Sequence, residues 1–422
     1  MSKSRTGLST PPPPLPDTTR AFLALLEAAI HAHAPLPLPD GVDWRVLYRL
    51  ALEHRVDGLL LAPVLQLPTQ PPPDMLIEWQ RRAMATTMQQ LQIVDSLHTA
   101  LTAFEDAGIR AVVLKGIILK ALYPEPDLRV MSDADLLVEI ATFDSAKELL
   151  LSQGFEEIKD DSHEDTFVCA NPDGLRVELH NRLFDRKQQG FLSRLDEGAL
   201  FPVTIAVRAE AYGGECLAFP PSEHALFQLA HMAKHMIVTG FGLRQVCDFC
   251  LFVEAYDSTI NWLWFIQQCK ELGLTEFLRA LLALCRDYLG LKSGMWQDVV
   301  VGKTDAANPG RILLDDLLDA GVFGKSTAER TRSAAVIYRS FDSESGNDSK
   351  LRRLTRAVFI RRDELHPPYM YAKRHAFLLP AAWAHRLFRY IFVERRRGGE
   401  IGAGLGIADE RLALLKQLDM LK

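Results

Sequence analysis

At 422 residues, 48% of them hydrophobic, the chain is long enough to bury a large core and to divide into about two or three domains. A formal net charge of −6 argues against a general nucleic-acid binder, which needs an excess of Lys and Arg to meet phosphate. No uninterrupted run of about 18 apolar residues occurs and no charged segment leads into an apolar one at the N-terminus. Neither a membrane span nor a signal peptide is therefore expected, and the dispersed cysteines fit reduced thiols in the cytoplasm.

Residues 1–16 end in a proline run, Pro11 to Pro14 and then Pro16, and read as a disordered tail. An N-terminal helical region follows over 17–107. Its helices are expected at Arg20–Ala32, Trp44–His54 and Pro73–Ala107, separated by Pro-rich breaks at 35–39 and 67–73. Ile93, Leu97, Leu101 and Phe104 recur at helical spacing along the last of these, the pattern of a core-facing stripe.

The period changes over 108–220. Ile109–Leu114 is a short apolar run and reads as a buried strand; Asp133–Ile140 and Phe155–Lys159 read as two more, with a helix at Ala141–Gln153 stopped by Gly154. Thr166–Ala170 and Leu175–His180 flank Asn171, Pro172, Asp173 and Gly174, a turn sequence that predicts a hairpin. From Ser222 to Leu289 the pattern is helical, and it stays so to Phe392 apart from a polar break at Ser340–Asp348. The expected fold is thus α+β, a small mixed β-sheet core embedded in a mostly helical protein, with helical regions at 221–340 and 341–422. Between Lys350 and Arg397 the chain carries 13 Lys and Arg against 3 Asp and Glu, either a solvated basic face or a dock for an anionic substrate. Cys247 and Cys250 form a CxxC inside a helical pattern with no second pair, and read as core cysteines rather than zinc ligands.

The segment 114–139 carries chemistry. Lys115 and Gly116 make a turn, Arg129 follows, and Asp133 and Asp135 open an apolar strand. Strand alternation puts the two aspartates on one face and Ala134, Leu136 and Val138 on the other. Paired carboxylates repel unless a cation lies between them, and an oxygen-rich pair suits Mg²⁺ carrying substrate phosphates. On the later strand Leu175–His180, Arg176, Glu178 and His180 alternate with apolar residues. Were it to lie beside the aspartate strand, three carboxylates would converge in a manner suited to two Mg²⁺ ions. A solvent-facing strand edge would show the same alternation.

The ordered set is more specific than any of its parts. Leu-Lys-Gly at 114–116, Tyr-Pro-x-Pro-x-x-Arg at 123–129, Ser-Asp-x-Asp-Leu-Leu-Val at 132–138, Glu178-Leu-His180, Ser222-Glu-His224, His231, His235 and the run Leu243 to Asp248 resemble a little-characterised bacterial nucleotidyltransferase family. That family belongs to the DNA polymerase β-type superfamily, and the resemblance spans about Asp43 to Arg395. It implies that Asp133 and Asp135 ligate metal, with Glu178 as third ligand or as base. The Gly-Ser turn usual in the superfamily reads Lys115-Gly116 here, and the third carboxylate is Glu where Asp is common. The expected nucleotide-binding residues are Lys115, Gly116, Arg129, His180, His231 and Arg244, the last two presented by a helical cap. An intrahelical pair of Arg244 with Asp248 is the competing expectation.

The implied activity is transfer of a nucleoside monophosphate from an NTP, with two Mg²⁺ ions, to a hydroxyl or phosphate. A small molecule or peptide natural product is a better acceptor than nucleic acid, for which no reading motif is visible. A sugar-nucleotide glycosyltransferase would need a Rossmann-like domain before Asp133, which the helical residues 18–107 do not supply. A nucleotide sensor or antitoxin-like module would keep the fold without turnover.

Overall fold

The computed structural model describes residues 13–184, 190–238, 240–300, 308–320, 371–372, 376–388 and 411–420. The chain opens with α1 (Asp17–His31), α2 (Trp44–Glu53), α3 (Asp57–Gln66) and α4 (Pro73–Asp106). Asp43 caps α2, its carboxylate accepting from the backbone N–H of Arg45 at 2.9 Å and of Val46 at 3.2 Å. Pro73 opens α4, where a missing N–H costs nothing. The three helices expected here are present. Between them α3, which contains Pro63, is an element the proline-broken sequence pattern did not suggest.

A mixed sheet of seven strands follows. In chain order its region comprises β1 (Val112–Val113), α5 (Ile117–Lys120), β2 (Ala134–Leu137), α6 (Phe143–Ser152), β3 (Glu156–Glu157), β4 (Thr166–Ala170), β5 (Arg176–His180), α7 (Glu197–Leu200), β6 (Val207–Ala211) and β7 (Gly214–Ala218). The strands lie in the order β3-β4-β5-β2-β1-β7-β6. The β4–β5 hairpin forms around 171–174 as expected, and β5 runs parallel to β2. The hairpin β6–β7, with β7 parallel to β1, extends the sheet beyond the strands the sequence indicated. Val207, Arg208 and Glu210 of β6 are exposed, so that edge carries little of the apolar signal by which strands are read.

Alternation along the strands divides the interior in two. Val113, Ala134, Leu136, Val177 and Leu179 join one core with Ile93, Leu97 and Phe104 of α4 and Ala146 and Leu150 of α6. Val112, Leu114 and Leu137, on the opposite face, join the larger core. That core is shared by the N-terminal helices and by α8 (Pro221–Val238), α9 (Leu243–Tyr256), α10 (Trp262–Leu272), α11 (Thr275–Leu289), α12 (Met295–Val300) and α13 (Pro309–Ala320). Asp135, Glu178 and His180 therefore sit on the sheet face turned toward this helical layer, the polar exceptions on an apolar surface.

All six cysteines are free and buried, Cys247 and Cys250 within α9. No helix among the described residues is long and apolar enough to cross a membrane. The proposed tail lies mostly outside the described residues, as do the polar break at Ser340–Asp348 and most of the basic stretch 350–397.

Candidate active site

Backbone pairing assembles the centre. β2 and β5 run parallel with Asp135 opposite Glu178 and Leu137 opposite His180, which sets the acidic side chains of two strands side by side. The N–H of Leu114 donates to the carbonyl of Asp135 at 3.1 Å, so the end of β1 is tied to the same point. The chain then turns at Gly116, whose φ of +65° is left-handed; a Cβ there would meet Met131 Sδ at 2.6 Å. This turn carries Lys115 back over the strand ends.

Among the described residues, Asp135, Glu178 and His180 each offer one ligand atom within 4.8 Å of the others. His180 Nε2 is 3.5 Å from Asp135 Oδ1, and its other ring nitrogen meets Thr166 Oγ1 at 3.1 Å. Thr166 thereby fixes the ring, as partners of metal-bound histidines commonly do. Asp133, the first aspartate of the pair, precedes β2 and lies outside this trio. Its charge is still felt at Glu178, Arg129 and Arg244.

Lys115 bridges the carboxylates and the helical layer. Its Nζ lies 2.9 Å from Asp135 Oδ2 and 2.9 Å from His231 Nε2. His235 Nε2 is in turn 2.7 Å from His231 Nε2. An ammonium can only donate, so at the Lys115 contact His231 Nε2 is the bare, accepting nitrogen, and its one lone pair lies between Lys115 and His235. Burial, and then Lys115, hold His231 well below the usual histidine range, and the same causes bring His235 down to about 3. Both shifts favour the neutral rings at pH 7.

The two central carboxylates shift in opposite directions. Burial raises Asp135, but the Lys115 ammonium and His180 outweigh it and hold the carboxyl well below its ordinary range. Burial raises Glu178, and the neighbouring charges of Asp135 and Asp133 raise it further. Arg176 pairs with Glu178 at 3.3 Å, but it also pairs with Asp161 at 3.0 Å. Glu178 thus retains negative charge that its surroundings do not neutralise. A divalent cation held by Asp135, Glu178 and His180 would relieve it, and the donor set fits such an ion.

Arg129 is not brought into this group. Its guanidinium, 4% exposed, grips Asp248 bidentately at 3.0 and 2.6 Å, and Tyr123 donates to the same carboxylate at 2.8 Å. Asp248 is therefore spent on Arg129 rather than on Arg244. Arg244 donates instead to the Val130 carbonyl, and its buried Nε meets no acceptor among the described residues. Sequence reasoning also missed a clamp behind the loop. Gln90 of α4 accepts from the Met131 N–H at 2.7 Å and donates to the Met131 carbonyl at 3.0 Å. The fully buried Lys120 donates to Gln90 at 3.2 Å and to the Arg129 carbonyl at 2.7 Å. A lysine on an apolar helix turn carries no sequence signal for such a role.

The chain belongs to a family described as uncharacterised nucleotidyltransferase, whose match covers residues 40–290. The site, from the turn at Lys115 to the end of α9, lies wholly inside that span. Among curated proteins no match is found.

Proposed function

We propose that the protein is a Mg²⁺-dependent nucleotidyltransferase that moves a nucleoside monophosphate from an NTP to a hydroxyl or phosphate of a small molecule or peptide natural product. The observation that carries the reading is the pairing of Asp135 opposite Glu178, with Asp133 two residues upstream and Lys115 folded over the pair. Membership of a nucleotidyltransferase family supports the reaction class, and the carboxylate cluster supports the need for metal. When bound, the divalent ion would screen phosphate charge and lower the barrier to attack by an oxygen nucleophile.

The residues divide the work. The acceptor oxygen bonds to the α-phosphorus, the bond from that phosphorus to the bridging β-oxygen breaks, and pyrophosphate leaves. Where the acceptor is a hydroxyl, its proton passes to a carboxylate of the cluster or to water. Asp135, Glu178 and His180 would hold the cation, with the charge of Asp133 beside them, and the Gly116 turn sets Lys115 over the pair. His231 holds Lys115 from the helical layer, and Arg244 braces the Val130 carbonyl just before the aspartate pair. Most of the rate enhancement then comes from positioning and charge, as phosphoryl transfer requires.

The test incubates the protein with Mg²⁺, each α-labelled NTP in turn, and a pool of hydroxylated small molecules and peptides. Pyrophosphate release and a labelled acceptor are expected, both abolished by Asp135→Asn. Release of orthophosphate alone, or label that survives Asp135→Asn, would overturn the reading.

A further inference from the structure

Two-ion phosphoryl-transfer sites place their cations roughly 3.5–4 Å apart. A second ion at that distance would need the other oxygen of Asp135, and the two oxygens have different neighbours. On the Oδ1 side stands His180, with Glu178 completing the trio. On the Oδ2 side stands the ammonium of Lys115, at 2.9 Å.

That ammonium is held in place. The Lys115 side chain is 21% exposed, against far higher values for surface lysines such as Lys292 at 75%. Its backbone is fixed by the left-handed Gly116 turn stacked on Met131, and by the bond from Leu114 N–H to the Asp135 carbonyl. Its nitrogen is fixed by His231, with His235 behind. A chain that had to admit a second ion at Oδ2 would not build a cation into that position and buttress it with two neutral imidazoles.

Charge gives the same count. Asp133, Asp135 and Glu178 bring three negative charges, and one ammonium, one divalent ion and the shared guanidinium of Arg176 already meet them. A second divalent ion would have to expel Lys115 from between Asp135 and His231 or sit beside it against direct repulsion.

We propose that this chain holds one divalent cation, at Asp135, Glu178 and His180, and that the Lys115 ammonium is the built-in second cation of the site. The sequence pattern had suggested two ions. The inference rests on the metal-dependent reading above and refines it. It also assigns an imidazole to the ion's first shell, a nitrogen donor that an all-oxygen site lacks.

The experiment uses Mn²⁺ as probe on the metal-free full chain, read by electron paramagnetic resonance without turnover. Wild type is expected to bind one Mn²⁺ per chain, with an uncoupled spectrum and a nitrogen hyperfine coupling that disappears in His180→Ala. In Lys115→Met, which keeps most of the stem and removes the charge, a second Mn²⁺ is expected, and the spectrum becomes that of an exchange-coupled pair. A coupled pair in wild type overturns the proposal, as does a single uncoupled ion in folded Lys115→Met. Absence of the nitrogen coupling in wild type removes His180 from the shell and overturns the assignment of the ion to this trio. Pyrophosphate release measured in parallel separates the two levels: a protein that turns over with a coupled pair loses only this inference, whereas one that releases none with any NTP loses the functional reading itself.

Discussion

Neutralising Asp135 and neutralising Glu178 should move the stability of the metal-free protein in opposite directions, although the two carboxylates are paired across adjacent strands. Asp135, with its side chain 8% exposed, is bonded to the Lys115 ammonium at 2.9 Å. Asp135→Asn removes the charge and leaves Lys115 partly buried beside a neutral amide. Hydrogen bonds to charged groups contribute about 1.5–3 kcal/mol, and since the amide oxygen still accepts, the expected loss is about 1–2 kcal/mol. Glu178 faces the Asp135 charge in register, and its weak pair with Arg176 is half solvated. Like charges directly opposite cost roughly 0.2–1 kcal/mol, so Glu178→Gln should be neutral or stabilising by about 0.5 kcal/mol.

The pH dependence carries the same signs. Asp135 is depressed in the folded state, so its contribution is present above the ordinary carboxylate range and is lost as pH falls through its folded value. Glu178 is raised, so what its protonated form contributes is present below the ordinary glutamate value and is lost as pH rises through the folded one. The gap between wild type and Glu178→Gln should therefore open just above the usual glutamate range and persist at neutral pH. Urea unfolding in excess EDTA at several pH values measures both. Asp135→Asn as stable as wild type at pH 7.5, or Glu178→Gln clearly less stable, would refute the assignment of Lys115 to Asp135.

Two further outcomes are expected. Gly116→Ala places a Cβ 2.6 Å from Met131 Sδ at a φ of +65°, and should lower stability by about 1–3 kcal/mol, with partial recovery in the double variant with Met131→Ala; additive losses in thermal unfolding would show that the two do not meet. Burial, with Arg129 nearby, brings Lys120 from 10.5 down to about 7, so wild-type stability should fall as pH drops from about 10 through about 7, and Lys120→Met should flatten that slope; parallel pH profiles for the two proteins would contradict it.

Much of the sheet was legible because its signals are local. The 171–174 turn fixes the β4–β5 hairpin, and the alternation in 133–138 and 175–180 correctly separates Asp135, Glu178 and His180 from Ala134, Leu136, Val177 and Leu179. The strand expected over Asp133–Ile140 is shorter, Ala134–Leu137, which leaves Asp133 at its mouth rather than in the ladder. The hairpin β6–β7 was not legible, since an exposed edge strand buries too few side chains to impose a pattern. Nor was the parallel pairing of β2 with β5, on which the whole centre depends. Strand periodicity states which face a residue takes and says nothing of which strand lies alongside.

The cations of the 115–129 segment show where such reading ends. Lys115, Lys120 and Arg129 are all basic residues of one short stretch, of which Lys115 and Arg129 were expected at the nucleotide and Lys120 was not singled out. Their fates are set by partners far along the chain. His231 and Asp135 hold Lys115 between them, Gln90 and a backbone carbonyl engage the buried Lys120, and Asp248 on α9 closes on Arg129. A guanidinium that satisfies both oxygens of a buried carboxylate would leave an uncompensated charge if it left for a ligand, at a cost of about 3–5 kcal/mol. Arg129 is thus better suited to bracing the 123–129 loop against α9 than to gripping a nucleotide. Lys115, partly exposed between one carboxylate and one neutral imidazole, is the member of the three still placed to face a triphosphate.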